Sequence, residues 1–398
     1  MSRTHRLTAA LALAPALALA TFVTSSPVAA TASRSHNQQH GQPNQHQLPS
    51  WQLRPVATAE QFRGLDAVSR EVAWVGGSNG SVFRTVNGGH TWANVSPPDA
   101  AGKTLRDVAA FGRNRAVVLA IGTGEDSRVY RTDDGGQTWT RTFTNPDPNA
   151  FYDCMAFSDP RHGLAVSDPP DGKFRIIATH DGGRTWQVRS NAGMPPALDG
   201  EFAFAASGTC LTTSGKHDFW FATGGGAQAR VFHSRDFGET WTVSATPVLS
   251  SPSAGIFSLA FRDGRHGIAV GGDFLATGGS ADALAVTSNG GHTWRLVPAE
   301  DAPGVYRSGS AFVQRPASRS RHGRTHATRI ALAVGPTGSN ISFDGGRSWT
   351  ALAQVGADPA HGGFDSVECA GDGSCWASER NGKVARLTFP TQRRAGQH

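Results

Sequence analysis

Short apolar-rich runs separated by glycine-rich turns fill the chain from about residue 51 onward. In the first unit, residues 62–69 (FRGLDAVS) and 72–76 (VAWVG) form two such runs, and residues 81–85 lead into a turn. Apolar residues in this arrangement, bounded by Gly and Asn, are typical of half-buried strands, and no long stretch has a helical period. Equivalent units begin near Leu105, Phe151, Phe204, Ile256, Tyr306 and Phe364. The pattern predicts an all-β protein of seven similar units.

An eight-residue motif, Thr/Ser-x-Asn/Asp-x-Gly-x-Thr/Ser-Trp, follows the third strand in six of these units. Successive motif tryptophans are 47 to 55 residues apart, and a period near 50 is typical of propeller blades. We expect the Asp or Asn to accept hydrogen bonds from N–H groups of its own turn, and the Gly to adopt a positive φ. The Trp should cover the turn between neighbouring sheets, so the motif is interpreted as structural. These residues are Asn87 and Trp92, Asp134 and Trp139, Asp181 and Trp186, Asp236 and Trp241, Asn289 and Trp294, and Asp344 and Trp349.

The seventh unit, residues 364–389, has strand-like runs but no motif. Residues 51–56 (WQLRPV) resemble the strand that follows the motif elsewhere, so we expect them to complete the seventh blade from the other end of the chain. Such closure removes exposed sheet edges. The sequence therefore predicts a single seven-bladed β-propeller over residues 51–389, with a six-bladed ring as the alternative.

The N-terminal region differs in composition from the rest. Two arginines and a histidine precede an apolar run at 7–23, followed by small residues, which is the layout of a cleaved secretory signal. We assign residues 1–32 to that signal and expect a secreted, extracytoplasmic protein. A membrane anchor is the less favoured alternative, because Pro15 interrupts the run and no stop-transfer charges follow. Residues 33–50 are interpreted as a disordered linker and 390–398 as a disordered tail.

Four cysteines in a chain expected to be exported suggest disulfides. Cys369 and Cys375 flank the turn-forming sequence AGDGS, so pairing across a hairpin is expected. Cys154 and Cys210 would then form the second pair, linking consecutive units. Free buried thiols are the alternative for that second pair.

The net charge of +6 is concentrated outside the predicted fold. Ten of the 37 basic residues lie in the leader, the linker, the tail and one insertion at 315–329. The remaining body is mildly acidic, so no nucleic-acid footprint is predicted. The insertion is interpreted as a solvated loop, with binding to an anionic surface as the alternative. No phosphate loop, nucleotide fingerprint or metal-ligand cluster is found, so we predict no cofactor and no metal, and we expect a monomer.

The candidate binding residues lie where the innermost strands begin, because propeller ligands usually meet the mouth of the central channel there. Three arginines at that position predict recognition of a carboxylate or another anion, since the guanidinium fork pairs with such groups through two bonds. The alternative is that each arginine pairs with a nearby carboxylate such as Asp66 or Asp107. Aligning the unit starts places these residues at equivalent positions: Arg63, Arg106, Tyr152, Arg307 and Phe364.

A group of carboxylates in units three to five is the alternative, catalytic candidate. Two carboxylates within about 10 Å across a groove could act as the acid and base of glycoside hydrolysis. Most carboxylates on loops are instead solvated or form turns. The four candidates are Asp153, Asp168, Glu201 and Asp273.

The repeated motif is the BNR or Asp-box motif, and the chain resembles that propeller superfamily over roughly residues 51–389. In that family the box lies on the hairpin between the two outer strands of a blade, away from the usual ligand face. Sialidases and xyloglucan hydrolases are more distant resemblances. Leu53-Arg54-Pro55 only partly matches the Arg-Ile-Pro of sialidases, nothing marks a Tyr/Glu pair, and xyloglucan hydrolases use two propellers.

A closer resemblance is to the photosystem II stability/assembly-factor-like group of small Asp-box propellers (WD40/YVTN/BNR-like repeats). Members share a secretory leader, one ring of this size and arginines at the starts of inner strands. The resemblance implies a scaffold that binds an extracytoplasmic protein, with a glycan as the alternative partner, and it favours a protein without catalysis. It does not imply a particular partner.

Overall fold

The 28 strands of the protein form seven four-stranded antiparallel sheets in a computed structural model that describes residues 48–314, 328–355 and 362–390. In blades 1 to 6 the strands follow chain order from the inner to the outer edge. Each inner strand packs against the inner strand of the next blade, and that of blade 7 packs against that of blade 1. The predicted all-β, seven-bladed propeller is confirmed, and the six-bladed alternative is wrong.

The strands of the seven blades have the following bounds. Blade 1 consists of β2 (Phe62–Ala67), β3 (Ala73–Gly77), β4 (Val82–Thr85) and β5 (Ala93–Asn94). Blade 2 consists of β6 (Thr104–Ala110), β7 (Ala116–Ile121), β8 (Arg128–Thr132) and β9 (Thr140–Thr144). Blade 3 consists of β10 (Tyr152–Phe157), β11 (Gly163–Ser167), β12 (Arg175–Thr179) and β13 (Gln187–Val188). Blade 4 consists of β14 (Leu211–Ser214), β15 (Asp218–Ala222), β16 (Arg230–Ser234) and β17 (Thr242–Ala245).

The remaining blades complete the ring. Blade 5 consists of β18 (Ala254–Phe261), β19 (Gly267–Asp273), β20 (Leu284–Thr287) and β21 (Arg295–Leu296). Blade 6 consists of β22 (Gly309–Phe312), β23 (Ala331–Gly335), β24 (Gly338–Ser342) and β25 (Thr350–Ala351). Blade 7 consists of β26 (Ser366–Cys369), β27 (Cys375–Ser378), β28 (Val384–Thr388) and, as its outer strand, β1 (Ser50–Leu53).

The first and last strands close the ring by pairing with each other. Trp51 lies opposite Leu387 in the antiparallel β1–β28 pair. The buried Trp51 indole packs against Phe364, with 5.0 Å between ring centroids, and donates a hydrogen bond to Ser339 Oγ of blade 6 at 2.9 Å. The prediction that residues 51–56 complete the seventh blade is therefore confirmed, although the strand ends at Leu53.

The Asp boxes are turns whose polar side chains bind their own backbone. In blade 2, Thr132 Oγ1 accepts the N–H of Gly136 at 2.9 Å, and Asp134 Oδ1 accepts the N–H of Thr138 at 2.9 Å. Gly136 has a φ of 82°, which glycine adopts without strain. Trp139 Nε1 donates to Val95 O of blade 1 at 2.7 Å, so the box also joins neighbouring blades. These contacts explain why the motif requires those residue types.

Both predicted disulfides are present. Cys154 of the inner strand of blade 3 pairs with Cys210, which immediately precedes the inner strand of blade 4. Cys369 and Cys375 pair across the β26–β27 hairpin. The free-thiol alternative for the second pair is therefore wrong.

Blade 4 begins later than the sequence pattern suggested. Its inner strand starts at Leu211 instead of near Phe204. The apolar segment around Phe204 forms a loop instead, in which Phe202 makes an isolated bridge to Gly224 and Phe204 stacks on Phe257. The inner strand of blade 6 likewise starts at Gly309, three residues after the expected Tyr306.

Several predictions fall on residues outside the described ranges. These are the signal at 1–32, nearly all of the linker at 33–50, residues 315–327 of the arginine-rich insertion and the tail from 391. Within the described ranges, no helix is long and apolar enough to cross a membrane.

Candidate functional site

The ring has two distinct faces because strands alternate in direction. Inner strands begin at one face, which we call the channel mouth, and the second strand of each blade returns to it. The third strand ends at the opposite face, where the Asp boxes lie, which we call the box face. The candidate site is at the channel mouth, where the first residues of the inner strands meet.

Four inner strands carry a β-bulge close to the mouth. The register slips by one residue at the same point in blades 1, 2, 3 and 5. A bulge leaves one residue outside the ladder and re-aims its side chain. The residues skipped by the pairing are Arg63, Arg106, Asp153 and Phe257.

Arg63 is held at the mouth by blade 7. Its Nε lies 3.4 Å from Oδ2 of Asp365, whose side chain is only 1% exposed. Gln61 Nε2 donates to the same oxygen at 2.9 Å, and Arg63 O accepts a hydrogen bond from Ser366 Oγ at 2.6 Å. The carboxylate that pairs with Arg63 is thus Asp365, whereas the sequence suggested Asp66.

Arg106 lies close enough to Arg63 for the two charges to repel. Burial, and then the neighbouring Arg63 charge, lower the pKa of Arg106 to about 10, while Asp365 and Asp153 oppose the shift. The side chain remains charged at neutral pH. Among the described residues it makes one long hydrogen bond, from Nη1 to Ala206 O at 3.5 Å. The Nε atoms of both arginines are buried and make no hydrogen bond to a described residue, although that of Arg63 keeps its ion-pair contact with Asp365.

Asp153 and Asp168 form a carboxyl pair beside Arg106. Their side chains are close enough to interact directly, and the buried Asp153 Oδ2 accepts no hydrogen bond from a donor group of the described residues. Burial raises the pKa of Asp168 to about 7, although Ala203 N donates to its Oδ1 at 2.8 Å. Burial, and then the Asp168 charge, raise the pKa of Asp153 well above its ordinary value. Both shifts favour the protonated form, so the pair holds a proton more readily than an exposed carboxyl does.

The other two candidate carboxylates have structural partners. Glu201 accepts hydrogen bonds from Arg230 Nε at 2.8 Å, from Arg230 Nη2 and from Thr223 Oγ1 at 2.6 Å, and it is 3% exposed. Asp273 caps a turn, in which its Oδ1 accepts the N–H of Leu275 at 2.9 Å. The structure therefore brings Asp153 and Asp168 together. Glu201 and Asp273 do not join this pair, because each is bound to other parts of the protein.

Two predicted binding residues point elsewhere. The Tyr152 ring is fully buried against Phe143 with 5.6 Å between centroids, and its hydroxyl has no partner in the part of the chain described. Burial raises the pKa of Tyr152. Arg307 precedes the inner strand of blade 6 and donates to Asn340 Oδ1 from Nε at 3.0 Å and from Nη2 at 2.7 Å. It is not brought to the Arg63–Arg106 pair.

An aromatic shelf adjoins this charged group and was missed by the sequence analysis. Phe204 stacks on Phe257 at 3.9 Å between centroids, and Tyr306 meets Phe257 edge-on at 4.9 Å. The ring centroids of Phe274 and Phe257 are 6.1 Å apart. Phe274 is 42% exposed, and the next residue, Leu275, is 75% exposed. The sequence signal was the apolar segment near Phe204, which was assigned to a strand. The shelf thus runs from Tyr306, which interacts with the charges of Arg63 and Arg106, to exposed apolar surface at its far end.

The far part of the channel is lined by a second set of carboxyls that the sequence analysis did not assign. Asp66, Asp107 and Glu368 line a cavity of ≈ 340 Å³. Each accepts a hydrogen bond from a backbone N–H of the next blade. Asp66 accepts that of Ala110 at 2.6 Å, Asp107 that of Met155 at 2.6 Å, and Glu368 that of Ala67 at 3.3 Å. Burial raises the pKa of all three, that of Asp66 to about 7. These contacts join blades 7, 1, 2 and 3 and are structural.

Comparison with known proteins supports the fold and the repeat. A model of the BNR/Asp-box repeat matches residues 130–141, which include the box of blade 2. No curated protein sequence matches the chain. The resemblance to Asp-box propellers is confirmed.

Among solved structures, the chain is similar to YCF48 from Cyanidioschyzon merolae, at 17% identity and a TM-score of 0.57, over 85% of this chain and 98% of that one. The WD40 β-propeller domain of Doa1 is 12% identical with a TM-score of 0.54, over 88% and 100% of the two chains. The GH74 xyloglucanase from Xanthomonas campestris is 15% identical with a TM-score of 0.43, over 82% and 57%. These likenesses concern the fold alone.

Proposed function

We propose that this protein is a binding scaffold whose channel mouth recognises a carboxylate-bearing segment of a partner protein. The observation that carries the proposal is the convergence of Arg63 and Arg106 at the mouth, where Asp365 makes an ion pair with Arg63 and neither buried Nε makes a hydrogen bond within the described ranges. Guanidinium groups bind carboxylates through paired, charge-assisted hydrogen bonds. An incoming carboxylate would supply the missing acceptors and offset the repulsion between the two cations.

The aromatic shelf defines the second part of the partner. Phe274 and Leu275 expose apolar surface at the end of the aromatic shelf, whose Tyr306 is within electrostatic reach of both arginines. Interface anchors are commonly aromatic or apolar side chains set next to a charged contact. We therefore propose a partner segment in which an acidic side chain or a C-terminal carboxylate lies next to a large apolar residue.

A hydrolase is the second candidate, and the Asp153–Asp168 pair is the observation in its favour. Two features argue against glycoside hydrolysis. Retaining glycosidases hold their carboxyl groups about 5–5.5 Å apart and inverting enzymes hold them farther apart, whereas these two interact directly with each other. Glu201, the other buried candidate, is neutralised by Arg230.

We further propose that the protein acts outside the cytoplasm. The leader-like residues 1–32 support this location, as do two disulfides, which persist in oxidising compartments. The partner would accordingly be an extracytoplasmic protein.

The proposal can be tested with a fluorescent peptide library read by polarisation. The library would vary one position between carboxylate and carboxamide and the adjacent position between Leu and Ser. We expect selected peptides to contain both the carboxylate and the apolar residue. Arg63→Gln and Arg106→Gln should each weaken their binding about tenfold or more, the loss expected for a charge-assisted bond.

The matched control is Arg113→Gln, an exposed arginine in the β6–β7 hairpin at the box face, which should leave binding unchanged. Equal binding by carboxylate and carboxamide peptides would refute the proposal. So would cleavage of a polysaccharide panel by the wild type that is lost in Asp153→Asn, which would instead establish the hydrolase.

A further inference from the structure

A second charged site lies at the box face, remote from the channel mouth. It is a cavity of ≈ 330 Å³ between blades 5 and 6. The β18–β19 hairpin, strand β21, the segment before β23 and the box of blade 6 all contribute to its lining. Its charged lining residues include Arg262, Arg295, Arg329, Arg347 and Asp344.

Most of the positive charge of this cavity has no ion-pair partner among the described residues. The side chains of Arg295, Arg329 and Arg347 make no hydrogen bond or ion pair with any residue in the described ranges. Arg262, 13% exposed, has its Nε 3.5 Å from Asp263 Oδ2. That Nε donates no hydrogen bond to the described part of the protein.

The one box carboxylate in the cavity is already engaged. Asp344 Oδ1 accepts hydrogen bonds from Ser342 Oγ at 2.8 Å and from the N–H of Ser348 at 3.0 Å. Its Oδ2 accepts the Ser348 hydroxyl at 2.8 Å. These bonds stabilise the Asp344 carboxylate and lower its pKa against the opposing effect of burial. Asp344 therefore serves the turn, and the arginines around it retain a net positive charge.

In the corresponding cavity between blades 3 and 4, an arginine is paired with a carboxylate. The two cavities can therefore be compared within one molecule. Its lining includes Arg189, which forms an ion pair with Glu239. Glu239 is the sixth residue of the box of blade 4, and the sixth residue of the box of blade 6 is Arg347. The same location in the fold thus holds an acid in one repeat and a base in the other.

A neutral donor in the cavity lining also lacks an acceptor. Trp294 lines the cavity, and its Nε1 is buried without a hydrogen bond to any described residue. Trp92 and Trp139 of other boxes donate to backbone carbonyls of the preceding blade at 3.0 and 2.7 Å, whereas Trp186 of blade 3 is, like Trp294, without an acceptor among the described residues. The unused N–H groups of Arg262 and Trp294 are what an anion would require.

We propose that this cavity is a binding site for a phosphate or sulfate group. Its guanidinium groups come from four separate elements, so they can approach one anion from several directions. A tetrahedral oxyanion presents three or four oxygens to such donors, whereas a carboxylate presents two. The volume is at the lower end of the range for small-ligand sites, which suits one such group with part of the molecule that carries it.

The site is tested first by equilibrium dialysis of the whole protein against radiolabelled inorganic phosphate or sulfate at constant ionic strength. Sugar monophosphates and monosulfates form a second arm, which distinguishes a free ion from an ester as the source. We expect saturable binding in at least one arm and no competition by acetate. Absence of saturable binding in both arms overturns the proposal.

Arg347→Gln should weaken binding about tenfold, as loss of one charge-assisted contact predicts. The matched control is Arg184→Gln, which changes the same box position in blade 3, where Arg184 faces Asp133 at 3.7 Å. Arg184→Gln should not alter binding, and equal loss in the two variants would refute the assignment. Because both positions are exposed, the variants should fold as the wild type does.

A third variant separates the cavity from the arginine-rich insertion. Replacing residues 315–327, which hold four further arginines, by a short Gly-Ser linker should leave phosphate or sulfate binding within about threefold of wild type. Loss of binding in this variant, with binding retained in Arg347→Gln, would place the site on the insertion and overturn the proposal.

Discussion

Glu201 and Arg230 form a buried, bidentate ion pair, in which Nε and Nη2 of the arginine donate to the two carboxylate oxygens. Thr223 Oγ1 and the N–H of Leu198 donate to the same carboxylate. All the acceptor capacity of Glu201 is therefore directed at the protein itself. This relationship identifies Glu201 as part of the structure that supports the mouth.

Glu201→Gln should destabilise the fold, because it leaves the Arg230 charge buried without its counter-ion. A loss of about 3–5 kcal/mol in the free energy of unfolding is expected, measured by urea titration. Glu239→Gln is the control, because Glu239, which pairs with Arg189, is 54% exposed. This substitution should lower the free energy of unfolding by about 1 kcal/mol or less. A Glu201 variant as stable as the wild type would contradict the structural role.

The Asp153–Asp168 pair predicts a pH-dependent stability. The folded-state pKa of Asp168 is raised from 3.8 to about 7, so the folded protein holds a proton that the unfolded chain releases. This contribution is fully present below about pH 4 and is lost as the pH rises towards about 7. Asp168→Asn, which keeps an acceptor for the Ala203 N–H, should therefore gain stability relative to the wild type as pH rises across that interval.

Urea titrations at several pH values would measure this difference, with Asp301→Asn at an exposed position as the control. Infrared spectra give an independent reading, because a neutral carboxylic acid band should be present at pH 6 and diminished in Asp153→Asn. Parallel pH profiles for the wild type and Asp168→Asn would show that no proton is shared.

The two disulfides should contribute unequally to stability. Cys154 and Cys210 are 56 residues apart in sequence, and Cys369 and Cys375 are 6 apart. If the bonds act mainly by restricting the unfolded chain, replacing each pair by alanine should cost about 4 and about 2 kcal/mol respectively. Urea unfolding without reductant measures both values. Equal losses would indicate that native packing around the bonds outweighs chain entropy.

Ring closure through β1 should be a major source of stability. Trp51→Ala removes a buried indole and the hydrogen bond to Ser339, and a cost of about 3–5 kcal/mol is expected. Leu53→Ala in the same strand is the control, because Leu53 is 41% exposed and should change stability by about 0.5 kcal/mol or less. Thermal unfolding followed by tryptophan fluorescence would need correction for the lost Trp51, so circular dichroism is the better measurement.

The repeat was predictable because its signals are local. Every Asp box combines an Asx-type turn, positive-φ positions and a tryptophan within eight residues, so sequence alone located six blades. Even Phe237, which replaces a box glycine and has a φ of 59°, did not hide the pattern. Its ring is retained in that conformation by contacts with His180 and Phe219.

The mouth was predicted only in part because it depends on register and on long-range contacts. Arg63 and Arg106 occupy bulged positions within their inner strands. Arg307 instead precedes the inner strand of blade 6, and its side chain turns towards Asn340. A bulge cannot be read from apolar alternation, so the alignment of unit starts placed all three together. The segment around Phe204 has the composition of a strand, but tertiary packing against Phe257 uses it as a loop.

The pairing of β1 with β28 leaves Ser50 directly opposite Thr388. The polypeptide therefore enters and leaves the ring at adjacent points, and its blades have no inherent order of first and last. A circularly permuted gene, with residues 50 and 388 joined by a short linker and new ends placed in another blade, would keep every strand pair. The ring would then be closed by a different strand. Trp51→Ala in that permutant would lower the free energy of unfolding only through lost packing, because Trp51 would no longer lie at the junction of the two chain ends. Comparing this loss with the loss in the natural chain order would separate the two contributions.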